Sequence, residues 1–403
     1  MAFHLNSRAL LPGVRRFASL SLLAALGLLS ACTTVETPVE KKPLGTTFRA
    51  EAFEKLPKAP SGAWGEALSA FNLSCTRLSS APWSEICAKA KWESPERAEA
   101  FFAENFTPWA VEVPGKGEAR TDAGLMTGYY EPLLHGSRVR DRKNAYPIYG
   151  VPDDLLIIDL AELYPELKGK RLRGKLDGRR VVPYDQRGII QERGDLEKWA
   201  IAWVDDPVDA FFLQVQGSGR IELPDGSFMR VGFADQNGWR YRSIGSWLIR
   251  EEGLKSHELS MQRIRAWAKA NPGKVKKALA QNPSFIFFEE RSGDPALGPV
   301  GAQGVPLTPQ SSVAVDPNRW RLGTPFVIDA EQDRPQLHLA RPVIAQDTGG
   351  AIRGVLRFDY FWGFGDKAGE AAGRQKSRVR AWVLVPKGLA PEDILPGDAH
   401  APR

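Results

Sequence analysis

The chain has 403 residues, too many for one ordinary compact domain and enough for two. Apolar residues make up 43% and charged residues 25%, which excludes a disordered chain and a polytopic membrane protein. Three cysteines exclude a disulfide scaffold, and a formal charge of +6 keeps nucleic acid or an anionic membrane open only until the N-terminus is read.

That terminus reads as a targeting segment. Arg8, Arg15 and Arg16 form a basic start, and Leu20 to Leu29 is an apolar run too short to span a bilayer as a permanent helix. Leu29-Ser30-Ala31-Cys32 resembles the bacterial lipobox, cut before a cysteine that becomes lipid-modified. The alternative is an ordinary secretory signal with an incidental cysteine. Residues 1–31 are thus expected to be a lipoprotein signal peptide, Cys32 the lipidation site and 32–44 a tether. Thr33 is not the aspartate that favours inner-membrane retention, so the expected place is the outer membrane of a Gram-negative bacterium, facing the periplasm. Removing the signal takes away three arginines and no acids, so 51 bases face 48 acids and the charge falls to +3. Nucleic acid drops out as a partner. Cys75 and Cys87 remain, either paired or as two separate buried thiols.

Along the mature chain, Ala63–Leu73, Trp83–Trp92 and Ser94–Asn105 carry apolar positions three and four apart and predict helices. Short extended runs follow from Ala110 to about Val151. Residues 152–168 read as a loop and a short helix, and Leu196–Val204 as a helix. Ala210–Val215, Arg220–Leu223 and Phe228–Ala234 are strand-like, with Pro224-Asp225-Gly226 as a hairpin turn between the last two. Ile244–Lys269 predicts two helices parted near Gly253 and ended by Asn271-Pro272. Strands are then expected at Phe285–Glu289, Ser312–Val315, Pro325–Ile328, Pro342–Gln346, Leu356–Tyr360 and Val379–Val385. Strands from before and after the central helices could close one barrel around an inserted domain.

No phosphate-binding loop, HExxH, CxxC or GxSxG motif is present, and none of the five histidines pairs at ligand spacing, so serine-triad and zinc chemistry lack support. Acids are the better candidates. Asp316, before a proline, reads chiefly as a turn or cap residue. Asp347, before Thr-Gly-Gly, is equally an Asx turn or a functional acid. Asp359 interrupts the aromatic run Phe358-Asp359-Tyr360-Phe361-Trp362, where burial would keep its carboxyl protonated as a general acid needs; the alternative is an acid on the polar face of an edge strand. Gln214 and Gln216 would share one face of a strand, beside Ser218 and the Tyr129-Tyr130-Glu131-Pro132 segment. Amides and hydroxyls beside aromatic rings suit sugars, though a plain polar strand face explains them equally.

Together these segments resemble one family. Gly128-Tyr129-Tyr130-Glu131-Pro132, Gln214-Val215-Gln216-Gly217-Ser218-Gly219 and Gly304-Val305-Pro306-Leu307-Thr308 look like the membrane-bound lytic murein transglycosylase A family. So do Val315-Asp316, Gln346-Asp347-Thr348-Gly349-Gly350 and Phe358-Asp359, which resemble its three-aspartate domain. The resemblance implies a mainly β fold: a double-psi β-barrel built from N- and C-terminal segments, an inserted second β-domain and N-terminal helices. Its parts map to 45–134, an insert at 135–287, a three-aspartate domain at 288–388 and a tail at 389–403. It implies non-hydrolytic cleavage of the β-1,4 bond between N-acetylmuramic acid and N-acetylglucosamine, with a 1,6-anhydromuramic product. Asp359 would be the general acid and base, Asp347 its support, and Tyr129, Tyr130, Glu131, Gln214, Gln216, Ser218 and Asp316 would bind glycan, with support of the groove as the competing role for Glu131. It implies no cofactor or metal; the partners are peptidoglycan strands, the outer membrane through the anchor, and peptidoglycan synthases. The competing readings are a non-catalytic wall-binding lipoprotein and a hydrolase using Asp347 and Asp359 as a pair.

Overall fold

The computed structural model describes residues 45–115, 119–167, 170, 172–255, 259–294 and 297–396. The expected signal peptide, Cys32 and tether lie outside the described residues, as do His257 and the end of the tail. Strand β1 (Thr47–Ala50) precedes three helices, α1 (Ala63–Cys75), α2 (Trp83–Ala90) and α3 (Ala98–Asn105). Their helical spacing holds: Trp64, Ala67, Leu68 and Phe71 line one buried face of α1. Phe71 meets Phe102 at 5.8 Å and Phe106 at 5.9 Å between ring centroids, and all three are buried. Cys75 and Cys87 form a disulfide that ties the end of α1 to α2, which decides the question left open by the sequence.

The chain then enters β2 (Phe106–Pro114), β3 (Arg120–Thr121) and β4 (Gly124–Glu131). At Pro132 it passes from the barrel into a second body: β5 (Leu133–Ser137), β6 (Tyr146–Tyr149), a small meander of β7 (Leu156–Ile158), β8 (Leu172–Asp177) and β9 (Arg180–Pro183), then α4 (Arg187–Ile190). There follow β10 (Ala200–Val204), α5 (Pro207–Gln216), β11 (Ser218–Glu222), β12 (Phe228–Gln236), α6 (Gly245–Glu252), α7 (Met261–Ala270), α8 (Pro272–Leu279) and β13 (Ile286–Glu290). Six of these strands make one sheet in the order β13-β12-β11-β5-β10-β6. The hairpin at Pro224-Asp225-Gly226 is present, with Gly226 at φ 80°.

Several sequence expectations are corrected in this body. Ala210–Val215 is not a strand but part of α5. The Asp206 carboxylate accepts from Val208 N and Asp209 N, Pro207 takes the first turn, and Gly217 stops the helix at φ 82°. Caps at both ends outweigh the two-residue alternation. Leu196–Val204 is a 3-10 turn (Gly194–Trp199) and then β10, whose continuous apolar run is buried between β5 and β6. The helix expected within 152–168 is replaced by β7 and a single 3-10 turn at Pro165–Leu167. Asn271-Pro272 ends α7 as expected, but Pro272 also opens α8, where its missing N–H costs nothing.

The chain returns through β14 (Ser312–Val315), β15 (Pro325–Gln332), β16 (Leu337–Thr348), β17 (Arg357–Phe364), α9 (Gly365–Arg374) and β18 (Lys376–Pro386). The order β18-β15-β16-β14-β17-β4 closes on itself, because Lys376–Val379 of β18 pairs with β4. The rest of β18, from Trp382 to Pro386, pairs instead with β2, which carries β1 outside the ring. The result is a closed six-stranded barrel in which β14–β16 and β17–β4 are parallel and the other pairs antiparallel. Its interior is filled by Val313, Val315, Phe326, Val343, Phe358 and Tyr360. Helix α9 had no signal in its small residues; Ala368, Gly369 and Ala372 let it lie close against β4, with the Tyr130 ring where a side chain at Gly369 would go. Among the described residues no helix is long and apolar enough to cross a membrane.

Candidate active site

Four adjacent barrel strands present one row of residues. Ala314 on β14 is paired with Asp347 on β16 and with Asp359 on β17, and Asp359 is paired with Thr127 on β4. Asp347 reaches the row through a bulge: the register moves from Val313↔Ala345 to Ala314↔Asp347, skipping Gln346. Gln346 turns into the protein instead, where its amide donates to Ala70 O and Ser74 Oγ and its oxygen accepts from Ser312 Oγ. Two strand spacings put the Cα atoms of Asp347 and Asp359 about 9–10 Å apart. The small Ala314 side chain lies between them.

Asp359 sits on the face of β17 opposite the buried Phe358 and Tyr360, and stays partly accessible to solvent. Thr127 Oγ1 donates to its Oδ1 at 2.5 Å, and Arg357 Nη2 donates to Thr127 Oγ1 at 3.0 Å. Oδ2 receives no hydrogen bond from a described residue. Burial pushes the Asp359 carboxyl up to about 6; the Thr127 bond and the Arg357 charge pull it back, and Asp347 adds to the rise. Asp347 is more fully held. Its Oδ1 accepts from Ala302 N at 2.9 Å and its Oδ2 from the Tyr129 hydroxyl at 3.0 Å. Burial raises its pKa, and these bonds with that from Thr348 oppose the rise. The Tyr129 ring rests on Phe361 at 5.2 Å, and burial beside two acids pushes its phenol well up. Thr127 and Arg357 escaped the sequence reading. No local signal could find Thr127, whose bond to Asp359 spans 232 residues, whereas Arg357, two residues from Asp359 on the same strand, could have been found from strand alternation.

The other expected contacts divide. Gln216 Oε1 accepts from Tyr130 N at 3.1 Å, fastening the end of α5 to β4, and Ser218 opens β11 beside it, partly exposed. Gln214 does not share a face with Gln216, because two residues apart on a helix are turned by about 200°. It is buried, and its Oε1 accepts from Arg187 Nη2 at 2.8 Å and Ile286 N at 3.2 Å, so it is no groove contact. Tyr130 is also buried, with its hydroxyl on Met261 Sδ at 3.2 Å. Asp316 is 4% exposed; its carboxylate takes Asn318 N and Nδ2 on one oxygen and Gly354 N on the other. That is the turn role its proline neighbour suggested, not a sugar contact. Glu131 is 1% exposed and held by Arg220 at 2.9 Å and Arg230 at 3.9 Å.

Comparison with known proteins agrees with this geometry. Two family models match: the MltA specific insert domain over residues 125–289, and the 3D domain over 311–385. The second takes in Asp316, Asp347 and Asp359. Membrane-bound lytic murein transglycosylase A of Escherichia coli (strain K12) is 34% identical over 267 residues, which are 64% of this chain and 65% of that protein. The match thus spans just under two thirds of the curated relative's length. The crystal structure of MltA from Neisseria gonorrhoeae is 36% identical, covering 86% of this chain and 94% of that one, with a TM-score of 0.74. E. coli MltA with bound chitohexaose is 28% identical, covering 86% and 95%, with a TM-score of 0.64. With a relative above 30% identity covered almost end to end, and with Asp347 and Asp359 in one row across its own barrel, the chain belongs to the membrane-bound lytic murein transglycosylase A family.

Proposed function

We propose that this protein is a peptidoglycan lytic transglycosylase in which Asp359 alone serves as acid and then base. The observation that carries this is a partly accessible carboxyl with a pKa near 6, one oxygen fixed by Thr127 and the other unbonded. Protonated Asp359 donates to the glycosidic oxygen as the C1–O bond breaks through an oxocarbenium-like state. The carboxylate left behind takes the proton of the muramoyl C6 hydroxyl as that oxygen bonds to C1. The proton returns to Asp359 and the product is the 1,6-anhydro sugar. The attack is intramolecular, so no second carboxylate is needed to activate water. Asp347, with both oxygens already bonded to protein, is poorly placed to serve as one.

The rest of the reading follows the family. The barrel has double-psi topology, glycan lies in a groove between barrel and insert past Gln216 and Ser218, and a lipid on Cys32 holds the protein to the outer membrane, near peptidoglycan synthases. The E. coli relative that holds chitohexaose supports a glycan chain as ligand. Digestion of purified peptidoglycan followed by mass analysis of the muropeptides tests the reaction. Anhydro ends are expected; reducing ends would mean a hydrolase, and no release a binding protein.

The acid's neighbours give a second test. A general acid loses activity as pH rises through its pKa. Thr127→Val removes a bond that favours the carboxylate, so the alkaline limb of the pH–rate profile should move to higher pH. Asp347→Asn removes a repelling charge, so the limb should move lower. Identical limbs in both variants and the parent would remove Asp359 from the titration.

A further inference from the structure

We propose that the outer face of the β7–β9 meander docks the protein onto a lipid surface bearing anionic headgroups. The meander is turned inside out. Its register, Leu156↔Gly174, Ile158↔Leu172 and Leu176↔Val181, places Leu156, Ile158, Leu172, Leu176 and Val181 on one face. The opposite face carries Ile157, Arg173, Lys175, Arg180 and Val182; Arg173 and Lys175 point at the body of the insert, while Ile157, on the edge strand, is 69% exposed. Arg173 pairs with Asp235 at 2.9 Å and Lys175 with Asp185 at 2.6 Å. An ordinary half-buried sheet packs its apolar face on the core and shows its charges to water. Here none of the five apolar residues joins a hydrophobic core, and Leu176 and Val181 are 64% and 53% exposed.

Charge at the tip favours a bilayer as the occupant. Arg179 in the turn between β8 and β9 and Arg180 at the start of β9 are both exposed and without an ion pair among the described residues, against one acid, Asp177, the cross-strand partner of Arg180. An apolar cross-strand pair capped by arginines lets the side chains enter the acyl boundary while the guanidinium groups meet phosphate. The proposal rests on the lipid-anchored reading above. The tether, residues 32–44, reaches about 40 Å when extended, whereas a unit of this size has a radius of gyration of about 20 Å. The anchor therefore keeps the chain at the surface without choosing which face meets it, and a single lipid signal gains from a second contact.

The test uses the full chain carrying Leu176→Cys. Cys75 and Cys87 are joined, so with Cys32 lipidated the introduced thiol alone takes an environment-sensitive fluorophore. Val139→Cys, on an exposed site of the same insert, is the control. In vesicles of phosphatidylethanolamine and phosphatidylglycerol with spin-labelled acyl chains, the label at 176 should be quenched several-fold more than that at 139. Arg179→Glu with Arg180→Glu should remove most of the difference, with turnover of soluble glycan fragments unchanged. Equal quenching at 176 and 139 overturns the docking face. So does a spectral shift at 176 that grows with protein concentration in the absence of vesicles, which would mean that a second copy covers it. Mass analysis of Cys32 separates the two ideas: a chain without lipid removes the anchor, whereas lipid with equal quenching removes only the docking face.

Discussion

Asp359→Asn should reduce peptidoglycan turnover by roughly 10²–10⁴-fold, the range general acid–base catalysis supplies. The variant should still sediment with insoluble peptidoglycan, because the amide keeps the shape of the carboxyl and its Thr127 contact. Near-normal muropeptide release would sink the assignment. The same variant makes a stability prediction of definite sign. The Asp359 pKa is raised in the folded protein from 3.8 to about 6. Below pH 3.8 both folded and unfolded forms hold the proton and nothing is lost. Between the two values the unfolded chain releases its proton first and gains on the folded one. Above pH 6 the native protein bears the whole penalty, up to about 3 kcal/mol for a two-unit shift. Asp359→Asn removes it, so denaturant midpoints at pH 7.5 should rise relative to the parent and converge with it near pH 4. A destabilised variant at pH 7.5 would mean that the carboxylate is better solvated than its surroundings imply. Gain of stability with loss of turnover is the pattern of a group held in place for chemistry at the expense of the fold.

Glu131→Ala should act in the opposite sense, lowering stability by about 3–5 kcal/mol, the usual result of stranding a buried charge. Glu131 closes β4 just before Pro132 carries the chain into the insert, and it is bound there by Arg220 of β11 and Arg230 of β12. Arg220 also lies over the Phe364 ring at 4.2 Å, on the barrel side. One carboxylate therefore fastens the last residue of a barrel strand to two strands of the inserted sheet. Urea unfolding measures the loss. A change under 1 kcal/mol with turnover abolished would return Glu131 to the glycan. The expected outcome is a large loss of stability, with residual activity at low temperature in proportion to the folded fraction.

The contrast between these two acids marks what a linear reading can see. An acid inside an aromatic run, Phe358-Asp359-Tyr360, announces a strand with a buried face and one ionisable group opposite it, because strand alternation needs nothing beyond the run itself. The late strands were legible for the same reason: β14 matches its expected span, β15, β16 and β18 contain theirs, and β17 begins one residue later than expected, at Arg357. Glu131 lacked such a signal, since its partners are supplied by residues about 90 and 100 positions away. Alternation misled at Gln214 and Gln216. Two amides around a valine look like one strand face, yet Asp206, Pro207 and Gly217 cap the segment as a helix and separate them.

The sequence by itself determined the local chemistry: amphipathic helices, strands with one buried face, a turn at Asp316, and a carboxyl crowded by aromatic rings. Periodicity and turn residues act over a few positions, so they survive in a linear reading. Tertiary structure decided the pairing of Cys75 with Cys87, the bulge that trades Gln346 for Asp347, and the row Asp347–Ala314–Asp359–Thr127. That row needs strands brought together from both sides of the insert, and only barrel closure supplies the contact. The raised carboxyl of Asp359 follows from the same closure, because desolvation depends on what packs around a group and not on its neighbours in sequence.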